Sequence, residues 1–274
     1  MKNLSLFLFC AIFLFAKCQN SQSPKTENKK DSSGCVTFRT DTACSQIVFQ
    51  TKDSLFLKTD IYYSGKNENP TIILCHQAGY SRGEYVEIGK ILAKKGFNCI
   101  AIDQRSGNEV NGVKNITAQQ FLERKKQLND TKPVEYLDAE PDIEDAIYFG
   151  CKFFGKEKRK VILWGSSYSA SLCLKIAAKN DDVMAVLAFS PGEYFGNKLT
   201  LKNEIKNFNK PLFVTSSKSE AADLTKLVSD IKNKTQFIPD FEGKHGSSCL
   251  WSDTPNNEKY WKAVDEFLKK RKKH

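Results

Sequence analysis

The stretch Val161-Ile162-Leu163-Trp164-Gly165-Ser166-Ser167-Tyr168-Ser169-Ala170-Ser171 decides how this chain folds. An apolar strand runs into a turn of small residues and then into a helix. A serine on such a sharp strand-to-helix turn projects its hydroxyl above the sheet, with a helix N-terminus beneath it. Gly165 and Ser169 lie two residues either side of Ser167, a G-x-S-x-S pattern. Both must be small because the turn brings strand and helix close together. Ser167 is therefore the candidate nucleophile. Ser166 competes for the role but occupies the position that such a turn leaves variable.

Working outward, short apolar runs alternate with amphipathic segments. Strands are expected at 71–75, 98–102, 160–164, 184–189, 211–215 and 235–240, and helices at 85–95, 141–154, 168–179, 222–232 and 257–273. Continuous apolar strands alternating with helices predict a mostly parallel sheet covered on both faces. Before them, 45–51 and 55–63 alternate in polarity around Lys52-Asp53-Ser54, which predicts an N-terminal antiparallel hairpin. The fold class is α/β. Residues 107–137, polar and holding one helix-like part at 118–128, are expected to form a small insertion over the sheet edge that shapes a substrate entrance.

A serine hydroxyl is a weak nucleophile near neutral pH, so a base must take its proton and a carboxylate must orient that base. The chain has three histidines. His274 is its last residue, and His76 lies in the loop after the first parallel strand, where a structural role fits better. His245, between the last strand and the final helix, is left as the base, against the plain reading of a surface-loop histidine. In the chain order nucleophile, acid, histidine, the acid belongs to the loop after strand 211–215, which reads Ser216-Ser217-Lys218-Ser219-Glu220. Glu220 is the candidate; Asp223 is the alternative and is expected to cap the following helix. A tetrahedral intermediate also needs backbone donors for its oxyanion. Tyr168, directly after the nucleophile, is one, and Ala78 in His76-Gln77-Ala78-Gly79-Tyr80 is the other, with Gln77 next in line. No metal-ligand spacing occurs, and no metal or organic cofactor is implied.

The remaining sequence bounds the setting. A length of 274 residues, 40% hydrophobic and 27% charged, fits one globular domain after a targeting segment and excludes a disordered chain. The net charge of +10 is spread along the chain without a nucleic-acid motif, so it reads as a solvated basic surface and no nucleic-acid partner is expected. Lys2 precedes the apolar run Leu4 to Ala16, which suits residues 1–17 as a secretory signal rather than a membrane-spanning helix. Cys18 and the polar stretch after it resemble a bacterial lipoprotein signal, although Lys17 stands where a small residue is usual. The resemblance implies an exported protein held in the cell envelope by lipidation of Cys18, with 18–44 as tether and 45–274 as the folded domain. Cys35 and Cys44 flank a short loop and are candidates for a disulfide.

Strand, oxyanion loop, elbow serine, acid loop and late histidine in this order resemble the α/β-hydrolase superfamily from Ser45 to Lys273. His76-Gln77-Ala78-Gly79, Asp103-Gln104-Arg105-Ser106-Gly107 and His245-Gly246 are similar to segments of compact dienelactone-hydrolase-like and esterase-like members. Dienelactone hydrolases proper use a cysteine nucleophile, so their lactone specificity does not carry over to Ser167. By the same resemblance, Asp103 and Arg105 buttress the sheet end. The expected activity is a serine hydrolase cleaving an ester or related acyl bond of a small molecule through an acyl-enzyme. A serine peptidase of the same fold and a catalytically silent, surface-tethered binding protein are the alternatives.

Overall fold

The computed structural model describes residues 44–155 and 159–272. The signal segment, the lipidation site Cys18, the tether and the Cys35–Cys44 pairing lie outside the described residues or depend on residues that do. The chain opens with β1 (Cys44–Gln50) and β2 (Phe56–Tyr62), an antiparallel pair with Phe49 opposite Leu57. Next come β3 (Thr71–Cys75), α1 (Val86–Lys94) and β4 (Asn98–Ile102). The insertion holds a two-stranded ribbon, β5 (Glu109–Val110) and β6 (Val113–Lys114), and α2 (Ile116–Gln127), capped by the Asn115 side chain. Then follow α3 (Glu140–Phe153), β7 (Val161–Ser166), α4 (Tyr168–Ala177) and β8 (Val183–Phe189). The short α5 (Leu201–Glu204), β9 (Leu212–Thr215), α6 (Ala221–Leu227), β10 (Lys234–Phe237) and α7 (Asn257–Lys269) complete the order.

The main sheet has eight strands in the order β1-β2-β4-β3-β7-β8-β9-β10. β2 meets β4 antiparallel, and every pairing from β4 onward is parallel. Central strands read as continuous apolar runs because both faces are covered. Ile73 and Cys75 point into the layer built with α3, α4 and α6, where Ile143, Ile147, Leu174 and Leu224 are buried. Ile72 and Leu74 point the other way, into the layer built with α1 and α7, against Ile88, Leu92, Val264 and Phe267. This alternation is the period-2 geometry of a strand sandwiched between helices.

Two expectations are corrected. The apolar spacing of Leu224, Leu227, Val228 and Ile231 suggested a helix to residue 232, but α6 stops at Leu227 and single turns carry the chain onward, since β10 must begin at Lys234 beside β9. Asp223 is no cap: it sits within the first turn of α6, exposed, paired with Lys226 at 3.1 Å. The β5–β6 ribbon was not anticipated, because two residues per strand carry no periodicity.

Gly165 ends the apolar part of β7 at a very close crossing. A Cβ there would lie 2.5 Å from Ala170 Cα and 2.6 Å from Ala170 N, both backbone atoms of α4. Backbone cannot step aside as a flexible side chain can, so Gly165→Ala is expected to destabilise by at least about 2 kcal/mol. Thermal denaturation should show a Tm lowered by about 4 °C or more; an unchanged Tm would contradict this packing.

Candidate active site

The carboxyl ends of β7, β8 and β9 are chained to one another by backbone hydrogen bonds. Ser167 N–H donates to Phe189 O (2.8 Å), and Ser190 N–H donates to Thr215 O (2.7 Å). The loops leaving these ends are thereby held side by side. Ser167 is buried and stands between β7 and α4 with φ 58° and ψ −126°. Such a conformation costs a non-glycine residue about 1–3 kcal/mol and persists only where its surroundings over-determine it. Ser169, in place of glycine, is accommodated because its hydroxyl is used: it donates to His76 O and accepts from Gln104 Nε2.

Glu220 is the residue that precedes α6, yet its carboxylate does not cap the helix. It turns instead to His245, whose Nδ1 bonds Glu220 Oε1. The other oxygen, Oε2, accepts from Ser190 Oγ (2.7 Å) and Ser217 N–H (3.1 Å). Burial alone would push this carboxyl up, but the hydrogen bonds from His245, Ser190 and Ser217 outweigh it and hold it at about 2. Facing an ionised Glu220, Nδ1 is the ring nitrogen that donates, and Nε2 is the one this carboxylate does not engage. Ser190 also accepts from Gly246 N–H (3.0 Å), so one hydroxyl orients the acid and anchors the histidine loop. No sequence motif marks Ser190; the only signal was its place one residue beyond a parallel strand.

His76 is wholly buried. Its Nδ1 bonds Gln77 O (2.8 Å), and its Nε2 faces Gln104 N–H (3.1 Å) and Asn115 Nδ2 (3.2 Å). Burial pushes it down to about 4, so it is neutral near pH 7 with both ring nitrogens engaged, and it has no capacity to act as a base. Gln77 N–H is taken by Glu84 Oε2 (2.8 Å), which leaves Ala78 as the remaining candidate of the two for the expected oxyanion donor. Tyr168 is the first residue of α4, where an N–H has no partner within the helix. Its phenol is buried, bonded to Ser106 Oγ (2.6 Å) and Gln104 Nε2 (3.0 Å). Tyr194 donates to Ser190 O (2.9 Å).

Ser166 does not face the site. Its hydroxyl donates to Glu84 Oε1 (2.7 Å) and accepts from Ser247 N–H (2.8 Å). Glu84, fully buried, was not anticipated; it lies in Arg82-Gly83-Glu84-Tyr85, a single turn of 3-10 helix with no recognisable motif. Burial pushes its carboxyl up to about 7, against the pull of the Ser166 and Gln77 hydrogen bonds. Asp103 and Arg105 brace the end of β4. Asp103 binds Arg82 (2.6 Å) and the Ile116 N–H (3.0 Å), and Arg105 binds Asp142 (2.7 Å) and Asp53 (2.7 Å). Among the described residues, no group of His, Cys, Asp and Glu forms a metal cluster, and no helix is long and apolar enough to cross a membrane. A cleft of about 570 Å³ opens beside Glu220, with Pro191, Tyr194, Leu224 and Leu227 among its walls.

No family sequence model and no curated protein matches the chain in sequence. Solved structures do match in shape. An esterase from Pyrococcus furiosus superposes with a TM-score of 0.60 at 16% identity, covering 84% of this chain and 90% of that one. An α/β hydrolase from Penicillium superposes at 0.65 and 12% identity, covering 85% and 100%. The acylaminoacyl peptidase of Pyrococcus horikoshii does so at 0.60 and 18%, covering 83% of this chain and 41% of the longer peptidase. The fold is the α/β-hydrolase fold.

The depressed Glu220 carboxyl makes stability depend on pH. A folded value of about 2, below the unfolded glutamate value of about 4.3, stabilises fully above the unfolded value and is lost as pH falls towards 2. Urea unfolding should find the native chain more stable than Glu220→Gln at pH 6, with the gap narrowing at pH 3. A gap that widens in acid would contradict the ionised pair.

Proposed function

We propose that the chain is a serine hydrolase that cleaves a carboxylic ester, or a related acyl bond, of a small molecule through an acyl-enzyme. The observation that carries this reading is a strained, buried Ser167 at the end of β7 together with an ionised Glu220 bonded to His245 in the loops after β9 and β10, all at the carboxyl edge of the parallel strands. Ser167 Oγ would attack the acyl carbonyl while His245 Nε2 takes its proton, and the oxyanion would form against the N–H groups of Ala78 and Tyr168. His245 would return the proton to the leaving group, which departs as an alcohol. Water, deprotonated by His245, would then release the acid and regenerate the serine. Glu220 would hold the imidazole in the useful tautomer and stabilise the imidazolium. The cleft beside Glu220 has a mixed lining, with Pro191, Tyr194, Leu224 and Leu227 beside Glu193, Lys202, Asp223 and Lys226, and would suit a group with both carbon-rich and polar parts. The signal-like residues 1–17 and Cys18 support an exported, lipid-anchored setting.

The fold similarity to both esterases and an acylaminoacyl peptidase makes the leaving group the open chemical choice, and one experiment addresses nucleophile and substrate together. The purified chain is treated with a fluorophosphonate probe, the adduct is located by peptide mass spectrometry, and p-nitrophenyl esters and a peptide panel are assayed in parallel. An adduct on Ser167 that is lost in His245→Ala, with ester turnover exceeding peptide turnover, is the expected result. Glu220→Gln should lower kcat by about 10⁴-fold, whereas Asp223→Asn should leave it unchanged. No adduct on folded protein would overturn the reading and favour a silent binding protein; peptide turnover above ester turnover would make it a peptidase.

A further inference from the structure

Glu84 is a wholly buried carboxylate that touches none of the reacting groups, yet each of its oxygens is committed. Oε2 accepts from Gln77 N–H (2.8 Å), the residue before Ala78, and Oε1 accepts from Ser166 Oγ (2.7 Å), the residue before Ser167. Ser166 Oγ in turn accepts from Ser247 N–H (2.8 Å), two residues after His245. The oxyanion loop, the nucleophile turn and the histidine loop are each held one or two residues from their working atom by one connected set of hydrogen bonds.

The packing around this set leaves no slack. A Cβ on Gly246 would lie 2.4 Å from Ser166 Oγ and 2.3 Å from Gln77 Oε1, so the Gly246 backbone packs directly against the Ser166 and Gln77 side chains. Ser247 Oγ accepts from Trp164 Nε1 (2.9 Å), which ties the loop to β7 as well, and Glu84 O accepts from Trp251 Nε1 (2.9 Å). A buried carboxylate is costly to desolvate, and removing an interaction partner from such a set leaves buried donors unsatisfied.

We propose that Glu84 is the positioning residue of this site, fixing the Gln77–Ala78 peptide, the Ser166–Ser167 turn and the His245 loop in mutual register through Gln77 N–H and Ser166 Oγ. The proposal rests on the reading of Ser167 and His245 as nucleophile and base. Glu84 acts by geometry: without it the Ala78 N–H, Ser167 Oγ and His245 lose their common alignment while the cleft beside Glu220, which Glu84 does not line, is untouched. Glutamine can serve in its place, because its carbonyl can accept from Gln77 N–H and its amide can donate to the remaining lone pair of Ser166 Oγ.

The test measures kcat and KM on a p-nitrophenyl ester, together with Tm and fluorophosphonate labelling, for the full chain and for Glu84→Ala, Glu84→Gln and Ser166→Ala. Glu84→Ala is expected to lose about 10²-fold in kcat with KM changed by less than about threefold. Glu84→Gln should recover kcat to within about threefold of the native value. If Glu84→Ala does not fold, Ser166→Ala carries the test, since it cuts the same connection and removes only one oxygen; it too should lose kcat at constant KM. A folded Glu84→Ala or Ser166→Ala with native kcat overturns the proposal, as does a loss confined to KM or a Glu84→Gln no more active than the alanine variant. Absence of labelling and turnover in the native chain would overturn the reading of Ser167 itself, a different failure from a native chain that labels and variants that are unaffected.

Discussion

A non-glycine residue held at φ 58° tends to relax, and the structure around Ser167 prevents it from doing so. Its N–H is bonded to the end of β8, its carbonyl accepts from Ala170 N–H (2.9 Å), and Gly165 lets α4 lie directly against the strand that precedes it. The turn can be sharp only because the strand is short of side chain at Gly165 and the helix starts at once with Tyr168. Every other feature of the site is placed relative to that turn. The sheet order puts β3 on one side of β7 and β8 on the other, so the loop carrying Ala78 and the loop carrying Ser190 flank the serine.

The polar residues behind the site divide into two sets with different physics. Glu220 and His245 are partly open to water, with the buried Ser190 hydroxyl behind them, and the acid is held ionised by hydrogen bonds that exceed its burial cost. Glu84, Ser166 and Ser247 are sealed, and there burial pushes the carboxyl towards neutrality. The open set is suited to moving a proton, while the sealed set holds loops. His76 belongs with the second kind: neutral, engaged at both ring nitrogens and adjacent to the loop that carries Ala78, it shapes the backbone there.

Charge braces the rim of the sheet in the same spirit. Arg82 lies between Asp60 and Asp103, and Arg105 between Asp142 and Asp53, all close enough for direct ion pairs. The pairs with Asp60, Asp103 and Asp142 are buried, and buried pairs contribute little net stability against apolar replacements, but breaking one strands a charge. Their effect is to hold the loop after β4 and the start of the insertion in one arrangement, with Asn115 bridging from that insertion to His76 and Gln104 O.

The sequence by itself determined the alternation of strands and helices, because burial on both faces writes continuous apolar runs that need no knowledge of partners. It also determined the serine turn, whose small residues are demanded by local geometry, and it left His245 as the candidate base because the chain holds so few histidines. Helix ends were less legible, as at α6, where apolar spacing continued past the point at which β10 had to begin. Only the tertiary structure decided which hydroxyls and carboxyls meet. Ser190 and Glu84 carry no local signature, since their partners lie 30 and 82 residues away at Glu220 and Ser166. Such contacts are created by the order of strands in the sheet, and a residue's periodicity reports the face it buries but not the strand beside it.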